Sequence, residues 1–297
     1  MFDTILSGQI IQYLFTGLTI GAIYALTALG FNIIHNVTGI INFAQGDFVV
    51  WGGLLMVMFA RFFGFPLPVA FFSVVGVMVF IGAFIYYFNI RPIKKPSILT
   101  MIMVTIAVSI ILQGVAMFIW GKEPYALPSF IEGPPVYVYG AYIMRQSFWV
   151  LGISVAMVLF LTFFFNRTLI GKAMRACADD PGAAGLVGIS TPLMICAAFM
   201  LGSALGAVGG AVITPITLME YDRGAMIAIK GFGSAILGGL GSFSGAVIAG
   251  FMLGILESFA TGFVSSAYKD AISLVLILGV LFTKPEGLFG SGANKKA

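Results

Sequence analysis

GLTIGAIYALTALGFNIIHNVTGIINFAQGDFVVWGG (Gly17–Gly53) decides the fold. It opens on an apolar run long enough to cross a bilayer core as a helix, which takes roughly 20 residues. Its second half is interrupted. Asn42, Gln45 and Asp47 stand among Ile, Phe, Val and Trp, and Gly39, Gly46, Gly52 and Gly53 bracket them. Glycines and polar side chains inside an apolar stretch point to a broken helix lining a cavity, because backbone left open to lipid finds no bonding partner. The alternative is a helix end near the cytoplasmic surface, with Asn42 and Asp47 as caps.

The apolar character extends along all 297 residues. The chain is 60% hydrophobic and 9% charged, with mean hydropathy +1.08. A soluble domain is roughly 45–50% apolar and about 25% charged, so this chain lacks the polar surface such a fold requires. Apolar segments at 10–31, 39–60, 66–90, 98–120, 147–165, 192–215, 224–241, 243–262 and 270–283 predict an all-α, polytopic transmembrane helical bundle of about eight to ten spans. The 38 glycines fit helices packed closely through small residues. The first segment has no basic run before it and is expected to be a span, not a cleaved signal. A single transmembrane domain over 1–297 is expected, with no soluble domain at either end.

The net charge of +4 reads as topology, with membrane lipid and not nucleic acid as the surroundings. Arg91, Lys94 and Lys95 form one basic cluster, Arg167, Lys172 and Arg175 a second, and Lys284, Lys295 and Lys296 a third. Basic residues flanking spans mark the cytoplasmic side. The connections 121–146 and 216–223 carry Glu123, Glu132, Glu220 and Asp222 and are expected outside. Nine spans with the N-terminus outside and the C-terminus in the cytoplasm satisfy this pattern, provided 224–241 crosses.

Little in the sequence can do covalent chemistry. His35 is the only histidine and is expected in a solvated turn; Cys177 and Cys196 have no metal or disulfide spacing. Neither a metal nor a cofactor is expected. No GxxxxGK[ST] loop occurs, so energy must come from an ion gradient or a partner subunit. A membrane-embedded enzyme would need a cluster of nucleophile, base or metal ligands, which is missing. Glu257, inside 243–262, and Lys230, near one end of its segment, are the polar candidates at depth. Lys230 is expected to snorkel to the interface. Glu257 is expected to pair with a polar neighbour or sit in a wet crevice, and a Glu257→Gln protein to keep transporting. An ion-coupled transporter would want several carboxylates or a histidine relay, and only Asp47 and Glu257 qualify. The glycine-dense run Lys230–Gly254 reads as tight packing or as a gate.

The longest cytoplasmic connection, about 166–191, holds RTLIGKAMRACADDPGAAGLVGIS (Arg167–Ser190). Asp179 and Asp180 precede Pro181, where negative charge suits a helix N-terminus. A short helix is expected from Pro181 to Gly188, with Ala183, Ala184 and Gly185 as a low-profile face that a partner's groove could close on. The alternative is a solvated connector.

Four stretches in order carry a resemblance. Gly17–Gly53 is similar to the amino-terminal signature of LivH-type permeases, the membrane subunits of branched-chain amino acid ABC importers. GKAMRACADDPGAAGLVGIS (Gly171–Ser190) resembles that family's coupling segment. GSAILGGLGSFSGAVIAGFMLGILES (Gly233–Ser258) and YKDAISLVLILGVLFTKPEGLFG (Tyr268–Gly290) resemble its carboxy-terminal half. The resemblance implies an ABC-importer permease fold with inverted internal repeats, in a bacterial inner membrane. It implies a second homologous permease subunit, two cytoplasmic ATP-binding subunits and a periplasmic solute-binding protein as partners. Asn42, Gln45, Asp47, Gly39 and Gly46 would then belong to the translocation pathway. Asp179, Asp180, Ala183, Ala184, Gly185 and Gly188 would couple to the ATPase. A faint internal echo links Gly39–Gly53 with Gly238–Gly254. The chain has Gln45-Gly46-Asp47 where the family usually carries His-Gly-Glu, which leaves urea, amides or aromatic acids as alternative solutes.

Overall fold

The computed structural model describes residues 2–93, 97–284 and 286–289, with side chains from residue 8 onward. Lys94, Lys95, Lys295 and Lys296 of the basic clusters lie outside them. Eleven α-helices and one small hairpin make up the described chain: α1 (Phe2–Thr38), α2 (Gln45–Val57), α3 (Leu67–Ile85), α4 (Ile98–Trp120), β1 (Val136–Val138), β2 (Ala141–Ile143), α5 (Arg145–Arg167), α6 (Leu169–Asp179), α7 (Pro181–Leu186), α8 (Thr191–Ile213), α9 (Gly224–Leu237), α10 (Phe243–Phe263) and α11 (Lys269–Thr283). π-Helical turns extend α2 over Met58–Phe62 and α3 over Tyr86–Ile90. Among the described residues, seven helical stretches are long and apolar enough to cross a membrane: α1, α3 with its π-helical extension, α4, α5, α8, α10, and α11 together with the 3-10 turn Ser266–Tyr268 that leads into it. The polytopic helical bundle read from the sequence is therefore observed.

Two of the nine apolar segments make shorter α-helices: α2, with 13 residues before its π-helical extension, and α9. α9 has 14 residues, or about 21 Å at 1.5 Å per residue, short of the roughly 30 Å hydrocarbon core. The segment 224–241 still runs from one end of the bundle to the other, but not as one full-length helix: Ile213 ends α8, a non-helical segment follows, and only then does α9 begin. α2 is its counterpart. Gly39, at φ +67°, closes α1 with its N–H on the His35 carbonyl at 2.7 Å. The Asn42 side chain then accepts from the Ala44 N–H at 3.2 Å, and α2 restarts at Gln45. His35 sits in the last turn of α1, half-buried, and not in a turn connection.

These interruptions reveal a repeat. A long helix, a break, a half-length helix and two spans run over α1–α4 and recur over α8–α11. Packing follows the same exchange: α1 lies on α10 as α8 lies on α3, and α2 packs on α8 as α9 packs on α1. The second unit is inverted. α1 and α10 are antiparallel, joined at one end by the Tyr13 and Phe263 rings at 5.6 Å and at the other by the Asn36 amide on the Gly241 carbonyl at 3.2 Å. At Gly17 a Cβ would stand 2.6 Å from the Ile255 Cα, and at Gly21 2.8 Å from the Phe251 Cα, so α10 packs against bare backbone there. The counterpart of Gly39–Gly53 is thus the 214–237 region, which corrects the echo drawn to Gly238–Gly254.

The bundle has two ends. One carries the start of α1, the 121–146 connection and the 214–223 connection, tied by the Tyr125–Met219 bridge and by the Tyr142 N–H on the Gln12 side chain at 2.9 Å. The other carries α6, α7 and the chain after α11, with Phe165 stacked on Phe243 at 4.8 Å and the Leu288 N–H on the Leu237 carbonyl at 2.7 Å.

Candidate functional site

The two half-helices meet N-terminus to N-terminus beside α1 and α8. Gly46 of α2 lies against the Gly224 carbonyl and Ala228 of α9, and a Cβ at Gly46 would come 2.6 Å from the Ala228 nitrogen. Each helix start carries roughly half a positive charge from its unpaired N–H groups. Asp47 sits in the first turn of α2, hard against Gly224, where a carboxylate suits both starts. Its oxygens accept a short hydrogen bond from the Ser109 hydroxyl and one from the Gln113 amide at 3.1 Å, both on α4. Ser109 and Gln113 carry no motif, and only the fold brings them to Asp47.

Asn42, Gln45 and Asp47 are all buried. The Gln45 amide donates to the Gly202 carbonyl of α8 at 2.9 Å. Among the described residues, the Asn42 Nδ2 donor and the Gln45 Oε1 acceptor have no hydrogen-bond partner. Burying such an atom unpaired costs roughly 1–3 kcal/mol. Gly39 borders a separate cavity of about 410 Å³ at the α6–α7 end, with Tyr86, Arg91 and Thr191.

A second polar cluster lies nearer the opposite end. Glu257 on α10 is fully buried and accepts from four donors: Lys230 at 3.0 Å, Lys269 at 3.1 Å, Ser273 at 2.8 Å and Tyr24 at 3.1 Å. Lys230 also binds Asp270 at 2.6 Å. One expectation changes here. Lys230 is 4% exposed and does not snorkel, because two carboxylates meet it inside the bundle. Glu257 takes the first of its two expected settings and pairs with lysines from α9 and from the start of α11, 27 and 12 residues away in sequence. The cluster lines a cavity of about 470 Å³ between α1, the 214–223 connection, α9 and α11.

At the other end, the short helix expected from Pro181 is α7, and a further helix that the sequence did not suggest, α6, precedes it in the 166–191 connection. Thr168 caps α6 by accepting from the Gly171 N–H at 3.0 Å, and Asp180 caps α7 by accepting from Gly182 at 2.8 Å and Ala183 at 3.0 Å. Asp179 ends α6, and Gly188, at φ +88°, closes the segment. Ala183 and Gly185 are exposed, but Ala184 is only 3% exposed and faces the chain's own interior. The outward apolar groups are Leu186 (91% exposed) and Val187 (76%), which the sequence reading passed over.

With this geometry in place, comparison with known proteins gives one direction. A family model described as branched-chain amino acid transport system / permease component matches residues 13–281. The chain is 32% identical to the high-affinity branched-chain amino acid transport system permease protein LivH of Escherichia coli (strain K12), over 94% of this chain and 95% of that protein. It is 30% identical to the permease protein BraD of Pseudomonas aeruginosa, with the same coverage. Among solved structures, PsaBC from Streptococcus pneumoniae in complex with Fab superposes with TM-score 0.54 at 16% identity, covering 96% of this chain and 97% of that one, a likeness of fold.

Proposed function

Because the chain belongs to the permease family of branched-chain amino acid transport systems, we propose that it forms half of the membrane pathway of an ATP-driven importer for branched-chain or related amino acids. A binding protein delivers the solute on the side of the 214–223 connection, and a second permease subunit completes the pathway. ATP is hydrolysed on two separate subunits at the α6–α7 end. The N-terminus then lies outside and the C-terminus in the cytoplasm, as the basic residues Arg91, Arg167, Lys172, Arg175 and Lys284 favour.

The observation that carries this reading is the α2–α9 junction. Two half-helices from inverted repeats meet with glycine-thin contacts, a carboxylate and unspent amide groups. In secondary transporters discontinuous helices bind solute at the interface between inverted repeats, and we read this junction in the same way. Asn42, Gln45, Asp47 and Gly46 brace that junction, and Gly39 gives the chain the bend that begins it. On the cytoplasmic side α7 is the coupling element. Asp180 fixes its start, Asp179, Ala183, Gly185 and Gly188 surround it, and Leu186 and Val187 fit a groove on the ATPase, while Ala184 holds α7 to its own bundle.

Co-purification from native membrane tests the assembly. The chain should bring down an ATP-hydrolysing subunit whose activity rises several-fold with solute and its binding protein. Recovery of the chain alone under mild detergent, with no nucleotide-hydrolysing partner, refutes it.

A further inference from the structure

We propose that the cavity at the Lys230–Glu257 cluster is the subsite that takes the zwitterionic head of an aliphatic α-amino acid as it enters the permease. This rests on the importer reading and places the cargo within this chain. The cavity, at about 470 Å³, falls in the range of roughly 300–1,000 Å³ typical of small-molecule sites. One part of its wall is aliphatic, from Ile20, Ile23, Ile213, Met226 and Ile227. The other is bipolar: Arg223, Lys230 and Lys269 supply positive charge, and Asp222 and Asp270 negative. Glu257 stands behind the two lysines and balances the set.

Arg223 is itself paired with Glu220 at 3.3 Å, so a lone anion or a lone cation meets like charge as well as opposite charge along this wall. A neutral amide or urea gains little from it. An ammonium and a carboxylate on one carbon, followed by a branched hydrocarbon, match both surfaces. Structural stapling alone does not account for the cluster, since a buried ion network is often no more stable than apolar packing of the same volume. Ionisable groups placed at depth beside a cavity mark a solute path. Lys230 holds Asp270 at 2.6 Å, and the Asp270 side chain is 51% exposed, so Asp270 can yield to an incoming carboxylate and turn to the ammonium. Asp222 is exposed and has no hydrogen bond or ion pair among the described residues, so it is free to receive that ammonium.

The test is protection of a cysteine placed in the wall, in the co-purified complex in nanodiscs. Thr217 lines the cavity, and Cys177 and Cys196 are buried, so maleimide labelling of Thr217→Cys reads over the slow background of the parent protein. At about ten times the dissociation constant an occupied site is free roughly a tenth of the time, so L-leucine should slow labelling about tenfold. 4-Methylpentanoate, isopentylamine and 4-methylpentanamide, which lack one or both charges, should leave the rate nearly unchanged. Equal protection by any of the three, or none by leucine, overturns the proposal. Lys230→Met should remove the protection. Should that protein fail to assemble, Asp222→Asn, on an exposed connection, is the second variant, and unchanged protection by leucine in it also overturns the proposal. The same nanodisc preparation is assayed in proteoliposomes for ATP-dependent uptake. Uptake without leucine protection discards this subsite and leaves the importer reading standing; no ATP-dependent uptake discards the importer reading itself.

Discussion

Replacing Glu257 with Gln should destabilise the protein and, contrary to the expectation from sequence, should not leave it transporting normally. The carboxylate accepts from Lys230, Lys269, Ser273 and Tyr24, and all four are donors. A glutamine has one oxygen and an NH₂ group. Either way round, the NH₂ faces a lysine ammonium, donor against donor. Breaking a buried ion pair from one side costs about 3–5 kcal/mol. Lys230 keeps Asp270, and the Lys269 side chain is 38% exposed and can return to water, so the low end, about 3 kcal/mol, applies. For a chain of 297 residues that corresponds to an apparent melting midpoint about 5 °C lower. Adding Lys230→Met removes the stranded cation and should recover more than half of the loss, a non-additivity expected for groups in one network. The assay is thermal unfolding in detergent, followed by size-exclusion recovery, on the wild type, both single variants and the pair. A Glu257→Gln midpoint within about 2 °C of wild type, or a double variant worse than the sum of the singles, refutes the reasoning.

Asn42→Leu leaves the Ala44 N–H without its acceptor at the helix break, and should cut uptake several-fold while membrane insertion is unchanged; wild-type uptake at matched expression counts against a role in the pathway. Leu186→Asp should weaken ATPase pull-down at least about tenfold, since a truncated anchor in a groove typically costs 2 kcal/mol or more, and normal pull-down with normal stimulated hydrolysis would leave α7 a plain connector. Ala184→Trp should instead lower the stability of the permease itself, because its side chain is already enclosed by the chain; an unchanged midpoint would contradict that placement. Asp180→Ala removes the cap on α7, worth about 1 kcal/mol, and should speed amide exchange over Gly182–Val187 about fivefold; unchanged exchange would show that the cap contributes nothing.

The sequence makes the bundle legible because lipid leaves the chain few options. Each long apolar run must close its own backbone hydrogen bonds, so composition and length alone recover the seven long helices. The break after Thr38 is readable too: Gly39 and Asn42 are the residues a helix stop and restart require. The half-length of α9 is less so. Residues 224–241 are apolar enough to pass for a span, and Lys230 looks like a charge near a membrane surface until Glu257 and Asp270 arrive from other helices. The inverted repeat is kept in packing and not in residue identity, so glycine-rich runs from non-equivalent places produced a false echo. At α7 the small residues drew attention away from Leu186 and Val187. Only the helical register shows which of these side chains face outward.

The central claim is that this chain moves amino acids inward at the expense of ATP hydrolysed on a partner. It is tested most directly in proteoliposomes holding the co-purified complex, with binding protein and radiolabelled leucine on the side of the 214–223 connection and ATP on the side of α6 and α7. The account predicts accumulation above the outside concentration that stops without ATP and persists when proton and sodium gradients are collapsed. Accumulation driven by an ion gradient, in vesicles holding this chain alone and no ATP, would contradict it.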